Sequence, residues 1–269
     1  VKALGTDQLN ALTQDQLSAL QTADLVSLTT GQVRGLSSSQ LQALGSSQIQ
    51  ALADTQLQAL STAQLNSLEP EDFALLTSGQ ISKLTTEQVS KLSDTMLQSL
   101  TTAQVSSLED DQVAALTTAQ VEALGTAQVQ ALGTAQVQSM SSAQLNALSA
   151  DQIGALGTAD VAALTTAQVS ALSTSNVAAL TSTQVKVLSS DQLQSLTTAQ
   201  INALDAADVT AMGTDQIAAL STAQVALGLT NNQIAQGLSG IMARDHHLPG
   251  MRNVGLDQGG WLDRLTKHG

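Results

Sequence analysis

Leucine returns at every eighth position along most of this chain. From Leu4, Leu12, Leu20 and Leu28 to Leu220 there are 28 such positions, 26 of them Leu and two Met (Met140 and Met212). Five residues after each stands a second apolar column, from Leu9, Leu17 and Leu25 to Val225, filled by Val, Leu or Ile except at Phe73. The column before that one is Gln at 22 of the 28 positions, as at Gln8, Gln16 and Gln120. No insertion disturbs the phase between residues 4 and 225. The idealised unit, residues 116–124, reads L-T-T-A-Q-V-E-A-L. Self-similarity at a fixed short period marks a repeat architecture.

One continuous helix cannot carry this pattern. Eight residues at about 100° each turn the apolar stripe by ~80° per repeat. Periods of seven or eleven hold a seam, and eight does not. The helix must therefore be interrupted once per repeat, and the column after each Leu shows where. It holds Thr nine times, Ser eight, Gly six and Asp once (Asp205). These are favoured N-cap residues, and Gly also suits the left-handed end of a preceding helix. Gln three positions later completes the capping-box signature. Acidic residues recur in the first turn, among them Asp7, Asp15, Glu87, Asp94, Asp110, Asp111, Asp151, Asp191 and Asp215, where the helix dipole favours them. Pro70 falls at the first helical position, its best-tolerated place.

The frame predicts a cap and about two helical turns per octad, with Thr117 capping residues 118–124. Such a helix, ~10 Å long, does not form alone and must be held by its neighbours. Val121 and Leu124 lie three apart and share a face turned to a common core. Ala119 and Ala123, four apart, read as a small-residue stripe along which adjacent helices approach. The freely varying column (Gln42, Asn66, Ser82, Gln130, Lys186) reads as solvent-facing. The expectation is an all-α solenoid of short capped helices over residues 1–227, with ladders of Leu and Val/Ile inside. A β-solenoid is the alternative, since T-x-Q-V-x-A can be read as a strand. The dominance of Ala, Leu and Gln and the presence of Pro70 weigh against it.

Regularity ends near Ala226, where Leu227 and Leu229 break the phase. Residues 228–269 are expected to form a small helical cap or assembly segment. Thr230 caps a longer amphipathic helix carrying Ile234, Leu238 and Ile241. A loop, Asp245-His246-His247-Leu248-Pro249-Gly250, precedes a last helix from Trp261 through Leu262 to Leu265. This tail holds three acids and four bases, leaving 19 and 5 of the chain's 22 and 9 to the repeats. A terminal cap covers the apolar edge that a solenoid otherwise leaves bare.

Composition narrows the functional classes. Aromatic residues are 1% of the 269 and charged residues 12%, while hydrophobic residues reach 42%. That is too apolar for a disordered chain and short of rings for a compact enzyme. A net charge of −13 argues against nucleic acid, which requires a basic face. No apolar run approaches the ~18 residues of a membrane span. With no Cys, disulfides and thiolate chemistry are excluded. The chain opens on Val1 in mid-pattern, as a processed or truncated terminus would.

Candidate chemistry is sparse. Asp245-His246-His247 matches the DHH string of a phosphoesterase family, but the further Asp and His motifs of that family are missing, and three adjacent ligands do not converge on one metal. No Ser-His-Asp set, phosphate loop or G-x-G-x-x-G is present, and no cofactor is expected. Thr pairs such as Thr29-Thr30 and Thr101-Thr102 suggest a lattice toward ice, yet Gly, Ser, Asp and Pro interrupt those columns, as capping would allow. The G-G-x-G-x-D calcium nonapeptide is absent.

The tandem L-T-T-A-Q-V-x-A-L array, from Leu4 to Val225, resembles the low-complexity repeat regions of large secreted or surface-exposed bacterial proteins, adhesin-like or fibre-forming. That resemblance implies an extracellular structural role and carries no functional residue across; the lack of a catalytic constellation makes a non-enzymatic protein the expectation. The expected partner is a second copy, joined head to tail. Its assembly residues would be Val1 and Leu4 at one end and Ile234, Leu238, Ile241, Trp261, Leu262 and Leu265 at the other, in a heterologous contact that propagates unless it closes a ring. The rival expectation is a secreted interaction module, an effector or adhesin binding another surface protein along one side. Departures from consensus at Leu75, Lys83, Lys91 and Met96 would mark that side.

Overall fold

A computed structural model describes residues 2–230 and 233–234. It is all-helical: 27 short α-helices follow one another, from α1 (Thr6–Asn10) to α27 (Thr214–Ala219), with no strand among the described residues. The β-solenoid alternative is thereby set aside.

The octad of α15 (Thr118–Ala123) shows how the sequence builds each unit. Thr117 is extended (φ −73°, ψ 160°). Its hydroxyl accepts the Gln120 N–H at 3.2 Å, and its own N–H donates to Gln120 Oε1 at 2.8 Å. Two of the donors orphaned at a helix start are thus satisfied. The helix ends at Leu124, which is again extended (φ −61°, ψ 141°) and whose N–H reaches back three residues to the Val121 carbonyl. Two successive extended residues, Leu and cap, form the corner. The helices hold four to six residues, shorter than two turns, because the Leu belongs to the corner and not to the helix. The glycine caps are extended as well, Gly125 at φ −71° and Gly133 at φ −88°. A left-handed helix end is therefore not what selects Gly here.

Each helix packs on the third one before it and the third one after it. α15 contacts α12 (Asp94–Ser99) below and α18 (Ser142–Ala147) above. Three octads therefore close one coil of 24 residues, a triangle of helices, and roughly nine such coils stack into a rod. At ~8–10 Å per helix layer the rod is on the order of 80 Å long. Val121 and Leu124 both point inward and are buried, as are their counterparts in both columns from Leu28 to Met212. Three Leu and three Val, Ile or Leu fill each triangle, which leaves little room for rings. Phe73, fully buried at the end of α9 (Pro70–Phe73), is the exception. The expected alanine stripe is not the contact between layers: Ala119 is exposed and Ala123 only half-buried.

The phase break near residue 226 has a local cause. Residues Gln224–Gly228 form a π-helical turn, the usual way for a helix to absorb one extra residue. Leu227 is expelled to solvent while Gly228 is buried. A Cβ on Gly228 would come within 3.0–3.2 Å of the Ile201 side chain and the Thr198 carbonyl. Leu229 then returns to the Leu column against the core, and Thr230 and Gln233 rebuild the capping box. The repeat contacts thus run past residue 227 to Gln233 and Ile234.

This inside–outside assignment is testable. Leu124→Ala should destabilise by about 2–5 kcal/mol, the range for a large-to-small change in a packed core. Gln130→Glu, at an exposed position, should stay within about 0.5 kcal/mol. Denaturant titration of both variants checks the pair, and equal effects would invert the assignment.

Candidate functional site

The chemistry of this rod lies in its seams. From Gln32 onward, each described glutamine of the capping column does two things with one amide. Oε1 closes the cap of its own helix, and Nε2 reaches down to the coil below. Gln120 Nε2 donates to the carbonyls of Leu92 at 2.8 Å and Val89 at 3.0 Å, 28 and 31 residues earlier. Gln144 does the same to Leu116 and Val113 at 2.8 and 2.9 Å, and Gln184 to Leu156 and Ile153, both at 2.8 Å. These carbonyls belong to the end of a short helix, where intrahelical partners run out. The amides are buried, so the bonds are shielded from water and costly to leave unmade. Sequence reasoning saw the cap and missed the second bond. The signal was there: an ordinary capping box takes Glu as readily as Gln, yet this column never holds Glu. Only an amide both accepts and donates.

The six departures from Gln in this column (Asp24, Asp72, Met96, Asp160, Asn176, Asp208) show what happens otherwise. Met96 is buried and cannot take the N–H of its cap, Ser93. Asn66 Oδ1, in the coil below, accepts that N–H at 2.8 Å, while Asn66 Nδ2 donates to the Lys91 carbonyl at 2.7 Å. At Asn176, whose side chain is one carbon short, Asn146 makes the same two bonds to Ser173 N–H and the Ala171 carbonyl, both at 2.7 Å. The aspartates reverse the polarity. Asp72, Asp160 and Asp208 accept a hydroxyl O–H 26 residues back, from Ser46, Thr134 and Ser182. The outer variable column, expected only to face solvent, is exposed but not idle. Gln50, Gln58, Gln98 and Gln194 each donate to a carbonyl 25 residues ahead.

Little else on the described surface offers chemistry. No three His, Cys, Asp or Glu side chains converge as metal ligands among the described residues. A depression lined by Ser18, Gln21, Thr22, Ser46 and Ser47 among others is open and carries no ionisable side chain. The cap hydroxyls of Thr29, Thr101 and Thr165 are engaged by their own Gln, so those Thr columns are cap chemistry and not a free lattice. No described helix is long and apolar enough to cross a membrane.

The first coil shows one seam from the side. Leu4, Leu12 and Leu20 pack against the core but are only partly buried, whereas Leu28 and the Leu positions after it are buried. Gln8 and Gln16 are exposed. Their Oε1 atoms close the caps of Gly5 and Thr13 at 2.9 Å. Of the residues expected to serve assembly, Leu4 lies on this face. Ile234 is half-buried at the opposite end, with its N–H on the Thr230 carbonyl at 3.0 Å. Val1, Leu238, Ile241, Trp261, Leu262 and Leu265 fall outside the described residues, as does the Asp245-His246-His247 string.

Two substitutions separate the roles of the amides. Gln120→Glu keeps the cap acceptor and places a carboxylate against two carbonyls, so it should cost about 2–4 kcal/mol at neutral pH and less as the solution is acidified. Asn66→Ala should cost about 1 kcal/mol more than Gln58→Ala, because Asn66 alone also serves a cap N–H. Denaturant titration against the parent chain measures both differences.

The ALTTAQ repeat matches this sequence in six tandem segments, residues 17–54, 54–86, 95–126, 121–158, 153–190 and 201–236. No curated protein matches the chain. The last segment runs through the π-helical turn and includes the Thr230–Gln233 capping box. With more than half of its length in these segments, the chain belongs to the ALTTAQ repeat family.

Proposed function

We propose that this chain is a non-enzymatic structural rod of a secreted or surface-exposed bacterial protein, lengthened by stacking coil on coil, head to tail. The observation that carries this reading is the complementarity of successive coils: their Leu columns meet in an apolar seam, and the glutamines turn their amide donors toward the coil that precedes them. Every coil turns the matching Leu and Val carbonyls toward the coil that follows it, as Leu92 and Val89 do toward Gln120. The complementary surface is therefore a coil of the same repeat. A second copy supplies one, and the contact, being heterologous, propagates along the axis.

The rival reading, a partner bound along one side, gains nothing from the departures from consensus. Leu75, Lys83 and Lys91 are exposed but lie on consecutive octads, hence on three different sides of the triangle, and Met96 is buried in a seam. They ring the rod and make no common face.

Light scattering over a concentration series, with electron microscopy of the same samples, tests the proposal. The intact chain should form particles whose mass rises with concentration. The double change Leu12→Glu with Gln16→Glu should abolish them while the helical circular dichroism is retained. An intact chain that stays monomeric at high concentration would reduce the rod to a spacer.

A further inference from the structure

One seam is built around an acid. Asp208 occupies the glutamine column on α26 (Ala206–Ala211), which packs on α23 (Ser182–Val185). Its carboxylate is buried and, unlike glutamine, only accepts. Oδ1 takes the Ser182 O–H at 2.8 Å and Oδ2 takes the Asp205 N–H at 3.0 Å. By the spacing of the other rungs, the carbonyls of Val177 and Leu180 lie where an Nε2 would donate, and this side chain has no donor to give them. Reach is not the obstacle. Asn176, one carbon shorter than Gln and the same length as Asp, stands in the same column and donates to the Leu145 carbonyl, 31 residues back, at 2.8 Å.

We propose that Asp208 makes the α23–α26 seam proton-operated. As a carboxylate it leaves the seam without its donor. When a proton from solvent neutralises it, the carboxyl O–H takes the place of the missing N–H and donates to the Val177 carbonyl, as the equally short Asn176 donates to Leu145. The surroundings favour the neutral form. Burial pushes the Asp208 carboxyl above its ordinary value, and the nearby Asp205 charge acts in the same direction, against the hydrogen bonds from Asp205 and Ser182. Helix α23 carries no ionisable side chain; Lys186 at its C-cap is exposed. Asp215 on α27 (Thr214–Ala219) is exposed as well, and Thr230, Gln233 and Ile234 are uncharged. A carboxyl whose folded value is raised stabilises most below its unfolded value, and that contribution is lost as pH rises through the folded one. This seam therefore tightens on acidification, opposite to ordinary acid unfolding.

Hydrogen exchange of the whole chain, corrected for intrinsic rates and read on the segment 177–186 between about pH 7 and about pH 4, tests this. At neutral pH, Asp208→Asn, which supplies the donor without the charge, should slow exchange several-fold relative to the parent. The gap should close as pH falls. Asp208→Ala, which removes the charge and adds no donor, should protect less than Asp208→Asn, and the exposed Asp215→Asn should match the parent throughout. A pH-independent gap, or equal protection from Asn and Ala at position 208, would overturn the proposal.

Discussion

The rod depends on a single amide used at both ends. A helix of four to six residues has more unpaired terminal groups than internal hydrogen bonds, so its isolated stability is negative. Here the glutamine three residues into each octad supplies both deficits. Its oxygen closes the start of its own helix, and its nitrogen closes the end of a helix one coil below, as Gln120 does for Thr117 and for Leu92. Each bond contributes only about 0.5–1.5 kcal/mol net. The rungs are buried, however, and nearly every octad has one. An unmade rung leaves a buried carbonyl or N–H unpaired, which penalises any slip between coils more than a loss of apolar contact would.

The exceptions show that both halves of the bond are needed. Where Met96 can neither accept nor donate, Asn66 comes from the neighbouring coil to take the orphaned cap N–H. Where Asn176 is too short for both tasks it keeps the inter-coil bond, and Asn146 takes the cap. Where aspartate stands in the column, a hydroxyl of the coil below turns to donate. Length variation is absorbed by the same rule. The extra residue near 226 is wound into a π-turn, and Gln233 still donates to Leu204, now 29 residues back instead of 28.

Much of this was legible locally. Caps, first-turn acids, Pro70 and the two inward columns are properties of five or six consecutive residues, and the helices stand where those signals place them. The corrections came where a side chain's partner lies outside its own octad. The glutamines read as caps because their second partner is 28 residues away. Asn66 read as solvent-facing because it is exposed, although both of its amide atoms are engaged. Ala119 read as a packing surface, whereas the layers are joined by side-chain amides.

What the sequence alone determined is the octad: a short capped helix with Leu and Val or Ile on one face, repeated in constant phase. What only the tertiary structure decided is how many octads close a coil. The reason is the regularity itself. In a chain of period eight, stacking two, three or four octads apart brings the same columns together, so the pattern of types does not distinguish them. The number three is set by the corner that two extended residues make, by the volume that six aliphatic side chains fill, and by the reach of a glutamine to a carbonyl in the coil below. Only the irregular positions retain a trace of it: Asn66 lies 30 residues before Met96 and Asn146 lies 30 before Asn176, one coil and six residues in each case.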